Sequence, residues 1–408
     1  MKNYLFGSKI FAASALATAL LLSGCGGDSN TNDDYSYANP ASPVTNVANV
    51  NYTKTQPYAA QSKLISYSMP KITGTGNTTA TAVVLVPNGR APAGGWPIVV
   101  WAHGTTGVAD KCAPSATANL GGVDTLLANL LINGYVVVAP DYEGLGSDGI
   151  HPFLNAESEG NSIIYAVKAT KAYVNNTSNN WMVVGHSQGG HAAIAAAERA
   201  SEAGLNFKGA VAYAPASNLA AILGGGYQTV ANAIGTAALV PTAKAVLPGL
   251  QTFSAFVAAG IRETRPNFNY SDAFTSPRSI AIAQKAESEC ISELAGAFAA
   301  DISSYYETPA NTGLYPGLTT AFTRVPEIAE FLEDSNLAMT RVNQPVLIIQ
   351  GTADTTVPAD ATRLLESQLK RIGTPVTATY LDGKTHTTVL TEGSSYLLGF
   401  LQQNMPAS

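Results

Sequence analysis

One short motif in the middle of the chain has the residue types and spacing of a turn that presents a nucleophile: Gly185-His186-Ser187-Gln188-Gly189. A serine hydroxyl becomes accessible when a sharp turn between a strand and a helix lifts it above the sheet. The buried-strand pattern Trp181–Val184 enters this turn, and an Ala-rich stretch leaves it. The flanking glycines relieve crowding, and Gly190 lets the helix pack closely. We therefore predict that Ser187 is a nucleophile on a nucleophile elbow.

A nucleophilic serine needs a base, and the base needs an acid that orients it. With the nucleophile on such a turn, the expected chain order is serine, acid, histidine. Asp354 comes just after the apolar run Pro345–Ile349, and His386 follows a predicted last strand, Val376–Leu381. We predict that Ser187, Asp354 and His386 form a catalytic triad.

Three nearby residues are assigned other roles. His191 is four residues along the elbow helix, where we expect it to pack or to cap. His186 precedes the nucleophile, so its side chain is expected to point away from the hydroxyl. Asp360 is the rival acid, but it begins a predicted helix and is expected to cap its N-terminus.

An oxyanion needs backbone N–H donors that point at it. The N–H of Gln188, at the start of the elbow helix, is one predicted donor. The second should come from the loop that follows the buried strand Pro97–Trp101. There Thr105 is the first choice and Gly104 the alternative, while His103 is expected to be structural.

The remaining acidic and cysteine residues favour neither glycosidase nor metal chemistry. Asp141 and Glu143 are two residues apart in a Gly-rich turn, a spacing that more often braces loops than cleaves glycosides. The three cysteines, Cys25, Cys112 and Cys290, share no ligand spacing, and the other ligand types are scattered. We predict neither a metal nor a cofactor.

The elements that must position these residues alternate between strands and helices. Predicted strands are Lys63–Met69, Thr79–Val86, Pro97–Trp101, Tyr135–Ala139, Trp181–Val184, Gly209–Ala214, Pro345–Ile349 and Val376–Leu381. Predicted helices between them are Val123–Ile132, Ser158–Val174 and Gly189–Ala203. Strands that alternate with helices in this way predict a mostly parallel sheet with helices on both faces.

One interval of about 125 residues breaks this alternation, which is too long for a connection within a sheet. It is rich in Ala, Gly and Leu, with predicted helices at Gln228–Leu239, Ile280–Phe298 and Val325–Leu332. We predict a core in two parts, 56–217 and 344–408, with a mainly helical cap at 218–343.

The N-terminus predicts export. Lys2 and Lys9 precede the apolar or small stretch Ile10–Leu22, which is shorter than the about 20 residues that span a bilayer. The ending Leu22-Ser23-Gly24-Cys25 resembles a bacterial lipobox, whose cysteine is acylated. We predict a signal peptide at 1–24, lipidation of Cys25, a flexible tether at 25–55, and an anchor in the outer membrane or at the cell surface of a bacterium.

The chain resembles the secretory lipase family of α/β-hydrolases, related to the fungal lipase A enzymes. The matching stretches are Trp101–Gly107, Cys112–Ser115, Pro140–Gly146, His151–Phe153, Ser158–Gly160, Gly185–His191 and Gln350–Pro358. The resemblance implies an α/β-hydrolase fold, the same triad, a cap that shapes the acyl pocket, and a disulfide between Cys112 and Cys290. The Gly-Thr-Thr-Gly oxyanion loop and the lipobox depart from the fungal pattern.

Composition and motifs together predict a carboxylic-ester hydrolase, a triacylglycerol lipase or a carboxylesterase, that acts as a monomer on a small acyl ester or lipid. Of the 408 residues, 12% are charged and the net charge is −6, with no recurring basic patch, so nucleic-acid binding is excluded. A serine peptidase on the same fold is the alternative enzyme. A catalytically silent surface-binding lipoprotein is the alternative from another class.

Overall fold

The core contains a nine-stranded sheet with the strand order β1-β2-β3-β5-β4-β6-β7-β8-β9. The carboxyl ends of its parallel strands lie along one edge. A computed structural model describes residues 43–407. The strands are β1 Val44–Asn49, β2 Ala59–Pro70, β3 Asn77–Pro87, β4 Trp96–Ala102, β5 Val136–Pro140, β6 Thr177–His186, β7 Asn206–Tyr213, β8 Val346–Gly351 and β9 Val376–Leu381. β1, β2, β3 and β5 pair antiparallel in turn, and the pairs from β5 to β9 are parallel.

Helices cover both faces of the sheet, as an α/β-hydrolase fold requires. The core helices are α1 Asp124–Ile132, α2 Ala156–Tyr173, α3 Gln188–Glu198, and, after the helical interval, α10 Ala359–Arg371, α11 Thr388–Glu392 and α12 Ser394–Asn404. One apolar layer joins the sheet to α2, α3 and α10, and a second joins the opposite face to α1, α11 and α12. The predicted fold class is thus confirmed.

The interval between β7 and β8 is helical, with only an isolated bridge between Phe274 and Leu318 in its described residues. Its helices are α4 Leu219–Ala231, α5 Leu239–Thr264, α6 Tyr270–Ala273, α7 Pro277–Ala283, α8 Ile291–Glu307 and α9 Pro326–Asp334. They enclose their own apolar cluster, which continues into core residues such as Phe153. By length and composition α5 could cross a membrane, but 67% of its apolar 18-residue stretch is buried inside the fold, as is common for a core helix.

Two predicted helices in this interval are wrong in their bounds. The stretch Gln228–Leu239 contains the end of α4 and a link in which Gly235 has a φ of 78°. The stretch Ile280–Phe298 is interrupted before α8, because Cys290 is extended and lies outside the helix as its N-cap. The first break lies in a mostly exposed segment, at a glycine in the left-handed region. The second lies where Cys290 is bonded to Cys112, which helical periodicity does not encode.

The predicted tether is also too long. β1 lies within the predicted range 25–55 and pairs with β2, so the folded chain begins earlier than residue 56. The strand was missed because it is an edge strand with mostly exposed, small or polar side chains, which resemble a linker. The predicted signal peptide and the lipidated Cys25 lie outside the described residues.

Candidate active site

Ser187 lies between β6 and α3 in a conformation that few residues adopt. Its φ of 60° and ψ of −118° place it outside the favourable regions for an L-residue. The turn is held by neighbouring backbone: the Ser187 N–H donates to the Tyr213 carbonyl (2.9 Å), and the Ala216 N–H donates to the Ser187 carbonyl (3.0 Å). The backbone therefore has the strand, sharp turn and helix of a nucleophile elbow.

The glycines around Ser187 are required by close backbone approach. A Cβ on Gly185 would overlap the carbonyl of Gly189, and one on Gly189 would overlap the carbonyl of Ala102 in β4. A Cβ on Gly190 would lie 2.8 Å from the Cα of Pro215. The start of α3 thus packs directly on two neighbouring strand ends, which fixes the position of Ser187 relative to the sheet.

Asp354 and His386 are joined by a short hydrogen bond. His386 Nδ1 lies 2.7 Å from Asp354 Oδ2, and the Asp354 side chain is buried. The other carboxylate oxygen, Oδ1, accepts the N–H groups of Thr356 (2.9 Å) and Val357 (2.8 Å). This arrangement holds the imidazole in one orientation, with Nε2 left for a neighbouring hydroxyl.

Asp360, the rival acid, is excluded by its position. It is exposed and pairs with Arg363 across one turn of α10 (3.1 Å). The expectation that Asp360 caps this helix is wrong, because Pro358 is the N-cap and Asp360 lies within the first turn.

His186 does not point away from the site. Its Nε2–H donates to the backbone carbonyl of His386 (2.8 Å), and the two imidazole rings are 4.6 Å apart between centroids. Burial, helped by the charge that His386 carries when protonated, lowers the pKa of His186 to about 3, so this ring stays neutral. The expectation was wrong because the loop that carries His386 folds back over the end of β6, a contact between residues 200 positions apart.

The predicted oxyanion donors lie beside Ser187. Gln188 is the first residue of α3, and Gly104 and Thr105 line one cavity with Ser187. A Cβ built on Gly104 would be 3.7 Å from that of Ser187, so this loop passes close to the nucleophile.

His103 makes the backbone contacts expected of a structural residue. Its ring nitrogens lie 2.7 Å from the Gly104 carbonyl and 3.1 Å from the Asp141 carbonyl. Tyr142 stacks on the ring, and its hydroxyl donates to the His103 carbonyl (3.0 Å). Burial lowers the pKa of His103 to about 4, although the two backbone carbonyls favour its protonated form.

Asp141 and Glu143 brace loops, as predicted. Asp141 accepts the Thr81 hydroxyl (2.7 Å) and the Ser115 N–H (2.9 Å), and Glu143 accepts the Ser158 hydroxyl (2.6 Å). Burial raises the pKa of Asp141 to about 6. In the described part of the chain no group of three His, Cys, Asp or Glu side chains is placed to hold a metal ion.

The disulfide between Cys112 and Cys290 is present, and it packs against the oxyanion loop. A Cβ on Gly107 would lie 2.6 Å from Cys112 Sγ. Ile291, the residue after Cys290, donates its N–H to the Thr106 carbonyl (2.8 Å). The start of α8 thus meets the loop that faces Ser187 through one hydrogen bond and through the packing of the disulfide.

Ser187 and His386 line the same cavity, with a volume of about 690 Å³. Its apolar wall combines core residues with two from the helical interval: Trp101, Leu120, Val123, Leu126, Leu390, Phe253 and Ile291. Uncharged polar side chains complete it, and among the described residues none that line it is Asp, Glu, Lys or Arg.

Sequence reasoning missed residues that hold the others in place. Gln350 donates through Nε2 to Asp354 Oδ2 (3.2 Å) and to the Val357 carbonyl (3.1 Å). Glu159 and His191 form a buried pair behind the elbow, with His191 Nδ1 2.6 Å from the Glu159 carboxylate. His191 therefore packs as expected, but its partner is a carboxylate. The sequence signal was weak, because Glu159 lies in the polar first turn of α2, where a solvent-exposed carboxylate is common.

Comparison with known proteins agrees with the fold. A sequence profile of the secretory lipase family matches residues 111–403, and no curated protein sequence matches the chain. The rice cell wall degrading esterase LipA from Xanthomonas oryzae is 20% identical with a TM-score of 0.65, over 89% of this chain and 98% of that one. Candida antarctica lipase A is 17% identical with a TM-score of 0.67, over 89% and 82%. At these identities the two structures show a shared fold.

Proposed function

The chain belongs to the secretory lipase family and is a hydrolase of esters, and we propose that it cleaves carboxylic esters through a Ser187–His386–Asp354 triad and an acyl-enzyme intermediate. The observation that carries the proposal is the bond from His386 Nδ1 to Asp354 beside a cavity that Ser187 also lines. The activity would be that of a lipase or a carboxylesterase.

The proposed mechanism has two acyl-transfer steps. His386 takes the Ser187 proton, the serine oxygen attacks the ester carbonyl, and the backbone N–H groups of Gln188 and of Thr105 or Gly104 stabilise the oxyanion. The alcohol leaves with the proton from His386. Water, deprotonated by the same histidine, then releases the acid and restores the serine.

The lining of the cavity favours a neutral ester over a peptide. The charge-free wall, as far as the described residues define it, offers no partner for the charged terminus of a peptide. Its apolar side chains suit an acyl chain, while hydroxyl and amide groups such as those of Thr125, Asn129 and Thr391 suit an uncharged alcohol. The lining therefore favours an esterase over the serine peptidase, and the bond between His386 and Asp354 favours an enzyme over the silent binding protein.

The test is the substitution Ser187→Ala. We expect turnover of nitrophenyl esters from acetate to palmitate to fall by about 10⁴-fold or more, because the residual rate comes from binding and oxyanion stabilisation alone. Labelling by a fluorophosphonate probe should also disappear. Ser217→Ala is the matched control, since it removes a buried hydroxyl a short distance along the chain that has no hydrogen-bond partner. Ester hydrolysis retained in Ser187→Ala would reject the triad.

We propose further that the protein is exported and anchored through a lipid on Cys25. The basis is the basic start, the short apolar stretch and the lipobox-like ending of the N-terminus. In a bacterial host, the chain should partition into the detergent phase of Triton X-114, and Cys25→Ser should move it to the aqueous phase. Equal partitioning of both chains would contradict the anchor.

A further inference from the structure

Three titratable side chains that the mechanism does not use lie together behind the nucleophile elbow. His151, Glu159 and His191 are fully buried, and the Gln188 side chain beside them is 1% exposed. Burial of an ionisable or polar group is costly unless its hydrogen bonds are satisfied. The position of each proton in this cluster therefore decides which of its hydrogen bonds are satisfied.

The direction of each hydrogen bond follows from groups that can only accept. His151 Nδ1 faces the Glu143 carbonyl (2.9 Å), so Nδ1 carries the proton and Nε2 accepts from Gln188 Nε2 (2.7 Å). The same amide nitrogen donates to Glu159 Oε1 (2.8 Å). Burial lowers the pKa of His151 to about 3, in keeping with a neutral ring.

The bonds continue from Glu159 to the helical interval. His191 Nδ1 lies 2.6 Å from Glu159 Oε2, and its Nε2 lies 2.9 Å from the Ser335 carbonyl after α9. Both ring nitrogens face acceptors, and because one of these is the Glu159 carboxylate, the protonated ring is the favoured form. Burial alone lowers the pKa of His191, but the charge and hydrogen bond of Glu159 outweigh it and the net pKa is raised.

These hydrogen bonds meet at Gln188, whose backbone N–H is the proposed oxyanion donor. Gln188 follows the strained Ser187, and a strained turn persists only where the surroundings over-determine it. Its side chain is held from two directions, by Glu159 on α2 and by His151 in the loop after β5. A fixed side chain limits rotation of the peptide that carries the N–H.

We propose that Glu159 and His191 are positioning residues for the oxyanion hole, which hold the Gln188 N–H in its productive direction through the Gln188 side chain. The inference rests on the proposed function, since it concerns the same reaction. His191 orients Glu159 and links it to the Ser335 carbonyl, so the helical interval contributes to the position of this donor.

Two disruptive variants and one conservative variant separate positioning from simple packing. Glu159→Leu removes both acceptors, and Gln188→Met removes the side-chain donor while leaving the backbone N–H. Glu159→Gln keeps an oxygen for Gln188 and supplies an N–H to His191 Nδ1, once His191 is neutral with its proton on Nε2. This last variant therefore rebuilds the same bonds without charges.

The measurements are kcat and KM for nitrophenyl butyrate and the affinity for an aryl trifluoromethyl ketone, whose hemiketal oxyanion occupies the oxyanion hole. We expect Glu159→Leu and Gln188→Met to lower kcat by about 10-fold or more with KM unchanged, since a whole donor contributes about 10²–10³-fold. Ketone affinity should fall in parallel. Glu159→Gln should restore both values to within about 3-fold of the wild type.

Tyr67→Phe is the matched control for lost stability. It removes a buried hydroxyl that donates to the Ser162 carbonyl of α2 (2.8 Å) without contact to Gln188. It should leave kcat and ketone affinity unchanged.

The proposal is overturned if folded Gln188→Met keeps the wild-type kcat and ketone affinity, or if Tyr67→Phe lowers them equally. If Glu159→Leu does not fold, Gln188→Met and Glu159→Gln still decide the question. Activity retained in Ser187→Ala would instead reject the proposed function, which is a different result.

Discussion

At the scale of single residues, His186 lies between the strand that carries the nucleophile and the loop that carries the proposed base. Its Nε2–H donates to the His386 carbonyl, and its ring faces the His386 ring. Because burial holds the pKa of His186 near 3, it remains neutral and adds no repulsion when His386 takes a proton. Its contribution is therefore to hold His386 in place.

His186→Phe should lower kcat/KM by about 10-fold, because the ring is retained but the hydrogen bond that fixes the His386 loop is lost. His186→Gln, which keeps an N–H donor, should retain most of the activity. The shape of the pH profile between about pH 5 and pH 9 should not change in either variant, because His186 does not titrate there. The measurement is kcat/KM for nitrophenyl butyrate across that range; an equal loss in both variants would show that the hydrogen bond is not the cause.

At the scale of elements, the junction of β6 and α3 is the most constrained part of the site. The start of α3 lies so close to the ends of β6 and β4 that only glycine fits at 185 and 189, because any Cβ there would overlap a backbone carbonyl. The α4 helix is the opposite case: Gly224 is exposed, and a Cβ there would have nothing within 4 Å. The same residue type is thus required in one helix and dispensable in the other.

Gly189→Ala should lower the free energy of unfolding by about 2 kcal/mol or more, since the added methyl forces α3 away from β4. Gly224→Ala should raise it by about 0.5–1 kcal/mol, because alanine in an exposed helix loses less backbone entropy. Urea denaturation followed by circular dichroism measures both. Similar destabilisation by the two substitutions would contradict the packing argument.

At the scale of the whole molecule, the helical interval and the sheet are joined near the active site. The disulfide between Cys112 and Cys290 connects residues 178 positions apart, and Ile291 bonds to the oxyanion loop. The Ser335 carbonyl adds a second link, to His191 on the elbow helix. The helical interval therefore contacts the surroundings of the site at two places, the start of α8 and the end of α9.

The double variant Cys112→Ser/Cys290→Ser should unfold with a free energy about 3–5 kcal/mol below the wild type, because the open loop gives the unfolded chain more entropy. Urea denaturation with and without reductant measures the difference. Reductant should destabilise the wild type and leave the double variant unchanged. A wild type indifferent to reductant would show that the disulfide contributes nothing to stability.

Local patterns predicted the parts of this protein that depend on neighbours in sequence. Short apolar runs placed β2 to β9, and the motif around Ser187 placed the elbow, because such runs and tight turns are properties of a few consecutive residues. Chain order then identified Asp354 and His386, which the structure brings together. The lipid anchor on Cys25 stays a prediction.

The remaining features depend on tertiary contacts that no local pattern encodes. The edge strand β1 exists because β2 offers it hydrogen bonds, and the break before α8 lies where Cys290 meets Cys112. The side chains of His186 and Glu159 are directed by loops and helices far away in sequence. The chain by itself therefore determined which residues carry the chemistry, and only the folded structure decided which residues hold them, because holding depends on distances between segments.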